Sequence, residues 1–319
     1  MIKPLLSVSS GFVMLISLSA CFHSSDDADS IVVVEALSCS SSAQDSIFDG
    51  TNVVRIRSET VSPNTYQQIT VRTGVTMDYM VHTSDNPKAL LILIPGSQMN
   101  ANIQGAAGQQ ATNAGGNFLI RSAHLFAAQG YKVVSIDRPS DWESFIDPTG
   151  STSGSAFDGY RTSSEHFQDL QKIIEQENAS PGLPVVIAGT SRGTISAVAQ
   201  HNLADYILLS GPLTGGSKGS PIGTTGVLPS ALGAKPVHLM WHAGDACFVT
   251  TPSDARELAG DFANVSAVEV NGGIDHPELS SRSSNQGCDG SKTHHGFLGI
   301  ESCVVENAIN WLDEQLETP

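Results

Sequence analysis

The sequence predicts an α/β domain in which a mostly parallel central sheet carries helices on both faces. Residues 89–94 and 131–137 are largely apolar, which is typical of central strands that are covered on both sides. Helical periodicity marks the segments that follow them, at residues 117–129 and 162–178. Strands that alternate with helices form parallel sheets, and right-handed crossovers distribute the helices over the two faces.

The elements before residue 180 follow from local patterns. Residues 66–72 and 75–82 alternate apolar and polar side chains around a Thr-Gly turn, which predicts an antiparallel hairpin. Gly130 ends the first predicted helix. Residues 138–159 are rich in Ser, Gly, Asp and Pro, and this composition predicts a surface loop.

After residue 180 the same alternation continues. A buried strand over residues 184–190 is followed at once by a helix-forming run. Residues 211–235 are rich in Gly, Pro, Ser and Thr, and they are too short and irregular for a large helical cap. The further strands are predicted at 206–209, 236–242 and 265–270, and the further helices at 252–262 and 301–316.

The composition excludes some classes of partner. The 319 residues have a formal charge of −16 and a pI near 4.8, so the basic surface that nucleic-acid binding needs is missing. A hydrophobic fraction of 40% with 15% charged residues is ample for a core. No cysteine pair has the C-x-x-C spacing of a zinc site, and we expect no metal and no other cofactor.

Residues 1–20 have the organisation of an export signal, with a charged start, an apolar centre and small residues at the end. The sequence LSAC, which ends at Cys21, resembles the lipobox of bacterial lipoproteins. That resemblance implies cleavage before Cys21, acylation of Cys21 and, because Phe22 rather than Asp follows, anchoring in the outer membrane. The alternative is an ordinary signal peptide with an incidental cysteine. Residues 21–45 are then an N-terminal tether, and the domain occupies residues 46–319.

Export would place the other four cysteines in an oxidising compartment, where disulfides form. Four cysteines allow three pairings. We favour Cys247–Cys288, because both flank segments that must converge if the site described below is correct. Cys39–Cys303 then follows by elimination.

The sequence GTSRG at residues 189–193 has the G-x-S-x-G pattern of a nucleophile elbow, between a strand and a helix. Such a turn exposes the hydroxyl of its serine, here Ser191, above the edge of the sheet. Glycines flank the serine because a Cβ there would collide with the neighbouring backbone. The pattern recurs at residues 215–219, but the following Ser-Pro-Ile-Gly cannot begin a helix, so we interpret that match as a loop.

A serine nucleophile needs a base, and the base needs an orienting carboxylate. Asp245 follows the strand predicted at 236–242 and is the candidate acid. Its structural alternative is an aspartate that caps a turn. Asp254 and Asp261 lie within the next predicted helix and are less suitably placed.

His295 is the candidate base because it directly precedes the last helix. Gly296 allows the backbone to turn there, and Phe297 can anchor the loop in the core. His294 and His276 lie in the same part of the chain and remain alternatives.

The oxyanion hole is expected from two backbone N–H groups. One belongs to Arg192, at the start of the helix after the serine. The other comes from the loop after residue 94, with Ser97 as the first candidate and Gln98 as the second.

Four short sequences, IPG at 94–96, GTSRG at 189–193, GD at 244–245 and HGF at 295–297, together resemble the α/β-hydrolase superfamily, over residues 66–316. The resemblance implies an α/β-hydrolase fold without a large cap and a triad in the order Ser, Asp, His. The sequences GNFLIRS at 116–122 and DRPSD at 137–141 are similar to a group of exported bacterial hydrolases.

The function expected from these residues is a serine hydrolase that cleaves a small acyl substrate, most simply a carboxylic ester, through an acyl-enzyme. Two alternatives remain open. The same triad could cleave amides, peptides or thioesters, or the chain could be a non-catalytic binding lipoprotein on a hydrolase scaffold.

Overall fold

A computed structural model describes residues 32–42, 45–48, 53–55, 64–113, 116–146, 157–179, 182–214, 229–274 and 285–317. The strands are β1 (Val34–Ser38), β2 (Ser46–Phe48), β3 (Val53–Arg55), β4 (Asn64–Arg72), β5 (Val75–His82), β6 (Leu90–Ile94), β7 (Ile103–Gln104), β8 (Thr112–Asn113), β9 (Lys132–Pro139), β10 (Val185–Thr190), β11 (Tyr206–Ser210), β12 (Val237–His242) and β13 (Val265–Asn271). The helices are α1 (Phe118–Ala128), α2 (Asp158–Arg161), α3 (Ser164–Glu177), α4 (Gly193–Ala199), α5 (Pro252–Ala259) and α6 (Glu301–Glu317).

Within the described residues, nine strands form one sheet in the order β1-β13-β12-β11-β10-β6-β9-β5-β4. The seven strands from β1 to β9 in this order pair in parallel. The hairpin β4–β5 continues the sheet in antiparallel pairing beside β9. Two-stranded ribbons, β2–β3 and β7–β8, lie outside the sheet.

Both faces of the sheet are covered by helices, as the sequence predicts. On β6, Leu91 and Leu93 pack into the core layer that contains α1 and α6. Leu90, Ile92 and Ile94 of the same strand pack into the layer that contains residues of α3, α4 and α5. Because successive side chains on a strand point to opposite faces, a strand buried on both faces is apolar at every position.

The edge strand β1 corrects the predicted domain boundary. It pairs in parallel with β13, from Val34 opposite Ala267 to Ser38 opposite Asn271, so the folded domain begins before residue 46. The residues of β1 are half-buried or exposed, because β1 lies at the edge of the sheet and has a neighbouring strand on one side only. It therefore lacks the continuous apolar run that marks the central strands. The predicted N-terminal signal and Cys21 lie outside the described residues.

The described part of the segment predicted as a loop at 138–159 also contains regular structure. Strand β9 extends to Pro139, a 3-10 turn covers Trp142–Phe145, and helix α2 begins at Asp158. Between β11 and β12 the described residues contain a short 3-10 turn, Pro229–Leu232, and no longer helix. In the described part of that connection, the sheet edge has no helical cap.

Two disulfides join distant parts of the chain. Cys39, just after β1, is bonded to Cys303 in α6, and Cys247 is bonded to Cys288. These are the two pairings that the sequence analysis favours, and they indicate an oxidising, extracytoplasmic environment. In a search limited to the described residues, no helix has the length and apolar character needed to cross a membrane.

Candidate active site

Ser191 lies in the sharp turn between β10 and α4. Its φ of +53° is in the left-handed region, which a non-glycine residue adopts only at a local conformational cost. A Cβ at Gly189 would collide with the carbonyl of Gly193, and a Cβ at Gly193 would collide with the carbonyl of Ile94. The flanking glycines therefore allow the close approach of backbone that raises the serine above the sheet.

Asp245 and His295 form a buried hydrogen-bonded pair at the same edge of the sheet. Nδ1 of His295 lies 2.8 Å from Oδ2 of Asp245, and these side chains are 3% and 1% exposed. Because a carboxylate only accepts hydrogen bonds, Nδ1 carries the proton and donates it. The other oxygen, Oδ1, accepts from the backbone N–H of Cys247 at 2.8 Å. The imidazole is thereby held in the tautomer whose Nε2 has a free lone pair.

Thr250 also belongs to this cluster. Its hydroxyl donates to Oδ2 of Asp245 at 2.8 Å, and its Oγ1 lies 3.1 Å from Nδ1 of His295. Thr250 is completely buried. The ring N–H at Nδ1 of His295 is therefore shared between the oxygens of Asp245 and Thr250. Thr250 has no distinguishing sequence motif, so the sequence analysis does not identify it.

The end of β11, at Ser210 and Gly211, lies next to both the serine and the histidine. The backbone N–H of Ser191 donates to the carbonyl of Ser210 at 3.0 Å. A Cβ on the next residue, Gly211, would lie 3.4 Å from Cε1 of His295. The elbow and the imidazole therefore flank the end of β11. Within the described residues, the Ser191 hydroxyl makes no hydrogen bond to His295.

The loop after β6 lies directly against the elbow. A Cβ at Gly96 would lie 3.0 Å from Cβ of Ser191, so only glycine fits there without a shift of the neighbouring backbone. Ser97 follows with a φ of +47° and is exposed. This is the loop from which the sequence predicts one oxyanion donor.

Arg192, the other predicted donor, precedes α4 directly. Its backbone N–H belongs to the end of the helix where N–H groups lack carbonyl partners from the preceding turn. Its side chain takes no part in this role, because the guanidinium is buried and forms an ion pair with Asp158 of α2. The sequence analysis does not identify this ion pair.

The other histidine candidates differ in position. His294 is half-buried, and its ring stacks on that of His242 with the centroids 4.0 Å apart. His276 and the second G-x-S-x-G match at 215–219 lie outside the described residues. A search of the described part of the chain finds no group of three or more His, Cys, Asp or Glu side chains that could hold a metal ion.

No protein-family model matches the sequence, and no curated protein matches it significantly. Solved structures do resemble the fold. A dienelactone hydrolase from Anabaena variabilis is 12% identical with a TM-score of 0.51, and the match covers 79% of this chain and 98% of that one. A structure described as a predicted CIB-like hydrolase, from Thermoplasma acidophilum, is 13% identical with a TM-score of 0.50, over 78% and 97% of the two chains. At these identities the likeness extends to the fold alone.

Proposed function

This chain has the α/β-hydrolase fold, and from that premise we propose that it is a serine hydrolase with Ser191 as nucleophile, His295 as base and Asp245 as orienting acid. The observation that carries the proposal is the buried hydrogen bond of 2.8 Å between His295 and Asp245, at the sheet edge where the elbow presents Ser191. The Ser-His-Asp arrangement is defined by such geometry rather than by sequence position.

In the proposed reaction, Nε2 of His295 accepts the proton of the Ser191 hydroxyl as the oxygen attacks an acyl carbonyl. Asp245 stabilises the imidazolium that forms. His295 then protonates the leaving group, and an acyl-enzyme remains on Ser191. Water, activated by the same histidine, hydrolyses it. The backbone N–H groups of Arg192 and Ser97 are the proposed donors to the oxyanion, with Gln98 as the second candidate for the loop position.

We propose carboxylic esters as the substrate class. The carbonyl of an ester is more electrophilic than that of an amide, and an amide nitrogen must be protonated before it leaves, so we expect the triad to act first on esters. The Anabaena protein of the same fold is described as a dienelactone hydrolase, and a lactone is a cyclic ester. Cleavage of amides or thioesters is the competing proposal. A comparison of p-nitrophenyl esters, peptide anilides and acyl thioesters, by kcat/KM, distinguishes the three.

The nucleophile is tested with a fluorophosphonate probe, which reacts with an activated serine. The wild type should be labelled, and Ser191→Ala should not. His295→Gln should lose labelling and ester hydrolysis, whereas the adjacent His294→Gln should retain most of both. A folded wild type that is never labelled would instead favour the non-catalytic binding protein.

We also propose that Cys21 carries lipid and anchors the protein at the outer membrane. Several acyl chains on one residue bind a membrane stably, whereas a single chain binds only marginally. In a bacterial expression host, the full chain should fractionate with the outer membrane, and Cys21→Ser should be released in soluble form or retained as an uncleaved precursor. Equal outer-membrane recovery of both proteins would contradict the anchor.

A further inference from the structure

Arg161, the last residue of α2, is completely buried behind the elbow. Its Nη2 lies 3.1 Å from the carbonyl oxygen of Pro95, 3.2 Å from that of Gly96 and 2.8 Å from that of Ser97. Its Nη1 donates to the hydroxyl of Ser196 in α4 at 3.0 Å. One guanidinium thus connects the loop after β6 with the helix that follows the nucleophile.

These contacts fix the direction of the amide groups in the loop. In a planar trans peptide, the N–H of one residue points opposite to the C=O of the preceding residue. Because the carbonyls of Gly96 and Ser97 face Arg161, the N–H groups of Ser97 and Gln98 face away from it. Gly96 packs on Ser191, so these N–H groups belong to the segment beside the nucleophile.

The loop conformation needs such support. Ser97 and Met99 both have positive φ, at +47° and +60°, which costs free energy for residues with a side chain. Within the loop, the N–H of Met99 donates to the carbonyl of Gly96 at 3.0 Å. This bond closes the turn, but it does not tie the turn to the rest of the domain. Arg161 connects the turn to α2 and α4.

The charge around Arg161 has the sign that an oxyanion site needs. Burial lowers the pKa of Arg161 to about 9, so the guanidinium remains charged at neutral pH. Arg192 lies nearby, and both guanidiniums face the single carboxylate of Asp158. Burial holds the pKa of the nearby His166 well below its usual value, so that ring is neutral. Arg161, Arg192 and Asp158 together therefore carry a net positive charge on the side of the loop that faces Arg161.

We propose that Arg161 is a positioning residue for the oxyanion hole: it holds the carbonyls of residues 95–97 on one side, so that the amides of Ser97 and Gln98 face the substrate oxygen at Ser191. This inference rests on the proposed serine hydrolase function. Arg161 would act through the loop, without touching the substrate.

The test is Arg161→Lys, compared with the wild type for hydrolysis of p-nitrophenyl acetate. Lysine keeps the positive charge, but a compact ammonium cannot reproduce the planar fork that reaches three carbonyls and Ser196. Loss of an oxyanion donor typically lowers kcat by about 10²- to 10³-fold. In Arg161→Lys the donors would be misplaced rather than lost, so kcat should fall by about 10- to 100-fold. KM should change less than about threefold. The affinity for phenylboronic acid, whose adduct mimics the oxyanion, should fall in parallel with kcat.

Arg72→Lys is the matched control, because Arg72 forms a comparable network with Asp141 and Asp169 but contacts no carbonyl of the loop. It should retain kcat and boronate affinity. If Arg161→Lys does not fold, Ser196→Ala is tested instead; it releases one arm of the guanidinium and should lower kcat several-fold. Unchanged kcat in the folded variant would overturn the role of Arg161. A wild type that neither hydrolyses esters nor reacts with a fluorophosphonate would instead overturn the serine hydrolase proposal.

Discussion

Thr250 is the residue whose contacts bear most directly on the proposed acid–base pair. Its hydroxyl lies between Asp245 and His295 and bonds to both. Thr250→Val keeps the shape of the side chain and removes the oxygen. A hydrogen bond to a charged group contributes roughly 1.5–3 kcal/mol, so the free energy of unfolding should fall by about that amount. We expect kcat for p-nitrophenyl acetate to fall about 3- to 10-fold, because the imidazole is less firmly oriented.

Thr250→Ser is the control for this prediction. It keeps Oγ1 and loses only a methyl group, so most of the activity should return. Urea unfolding measures the stability change, and steady-state kinetics measure kcat. If the valine variant kept wild-type kcat, the hydroxyl would contribute to stability only.

The sequence identifies residues that carry a local pattern of their own. Ser191 is recognisable from its flanking glycines and the strand before it, and Asp245 from its place after a buried strand. Thr250 and Arg161 have no such pattern. Thr250 meets His295 across 45 positions of the chain, and Arg161 meets Ser97 across 64. Such contacts depend on tertiary packing, which the single sequence does not reveal.

At the scale of elements, the segment that carries His295 is held between α1 and α6. Arg121 of α1 donates through Nε to Glu301 of α6 at 2.7 Å, and through Nη1 to the carbonyl of Gly290 at 2.8 Å. It also donates to the carbonyl of Gly296, and the other oxygen of Glu301 accepts from the N–H of Gly299 at 2.9 Å. The ion pair therefore holds the chain on both sides of His295.

Removal of one partner should affect both stability and catalysis. The side chains of Arg121 and Glu301 are 1% and 3% exposed. A buried charge left without its partner costs about 3–5 kcal/mol. We expect Glu301→Gln to lower the free energy of unfolding by up to that amount. It should also lower kcat several-fold under conditions where the protein remains folded. Chemical denaturation and ester hydrolysis measure the two effects.

The control is the ion pair between Lys88 and Asp313, which also joins α6 to the rest of the domain but is 44% and 34% exposed. Exposed pairs contribute about 0–1 kcal/mol, so Lys88→Gln should change stability by less than about 1 kcal/mol and leave kcat unchanged. Equal effects of the two substitutions would show that burial does not determine the importance of the Arg121–Glu301 pair.

The sequence predicts central elements more reliably than peripheral ones. Strand β6 and helix α1 begin and end within one residue of the prediction, because continuous burial and a terminal glycine mark them clearly. Strand β1 and helix α2 were not predicted. An edge strand has mixed exposure, and a four-residue helix is too short to show helical periodicity.

At the scale of the whole molecule, buried histidines couple stability to pH. His238 is 1% exposed; Asn307 Oδ1 lies 3.0 Å from its Nε2 and Ser266 Oγ lies 3.1 Å from its Nδ1. Burial lowers its pKa to about 4 from a usual 6.5. Between these values the unfolded chain binds the proton and the folded chain does not. The destabilisation that His238 causes is therefore absent above pH 6.5, and it grows as the pH falls toward 4.

His238→Gln should remove this pH dependence. A pKa difference of 2.5 units corresponds to about 3 kcal/mol, so the difference in unfolding free energy between wild type and variant should shift by about that amount from pH 7 to pH 4. Between pH 7 and pH 8 the difference should stay constant. Asp137 and Asp158, whose pKa values burial raises, act in the opposite sense, but both proteins contain them and the comparison removes their effect. Parallel stability curves down to pH 4 would contradict the assignment.

The two disulfides should both stabilise the fold but differ in their effect on activity. Cys247–Cys288 closes a separation of 41 residues, worth ~4 kcal/mol on the chain-entropy model. Cys39–Cys303 closes 264 residues and is worth ~5–6 kcal/mol on the same model. Only the first bridge is connected to the proposed triad, because the N–H of Cys247 donates to Asp245. Thr293 also bonds both to the carbonyl next to Cys288 and to the N–H of His295.

We therefore expect the paired substitutions Cys247→Ser and Cys288→Ser to lower both Tm and kcat. The pair Cys39→Ser and Cys303→Ser should lower Tm at least as much but leave kcat unchanged at a temperature where the protein is folded. Thermal unfolding and ester hydrolysis, each measured with and without reductant, test this. The first pair would have no catalytic role if its kcat matched that of the wild type. An equal loss of kcat in the second pair would mean that either bridge acts through global stability, because Cys39 and Cys303 form no hydrogen bond to the triad in the part of the chain that the structure describes.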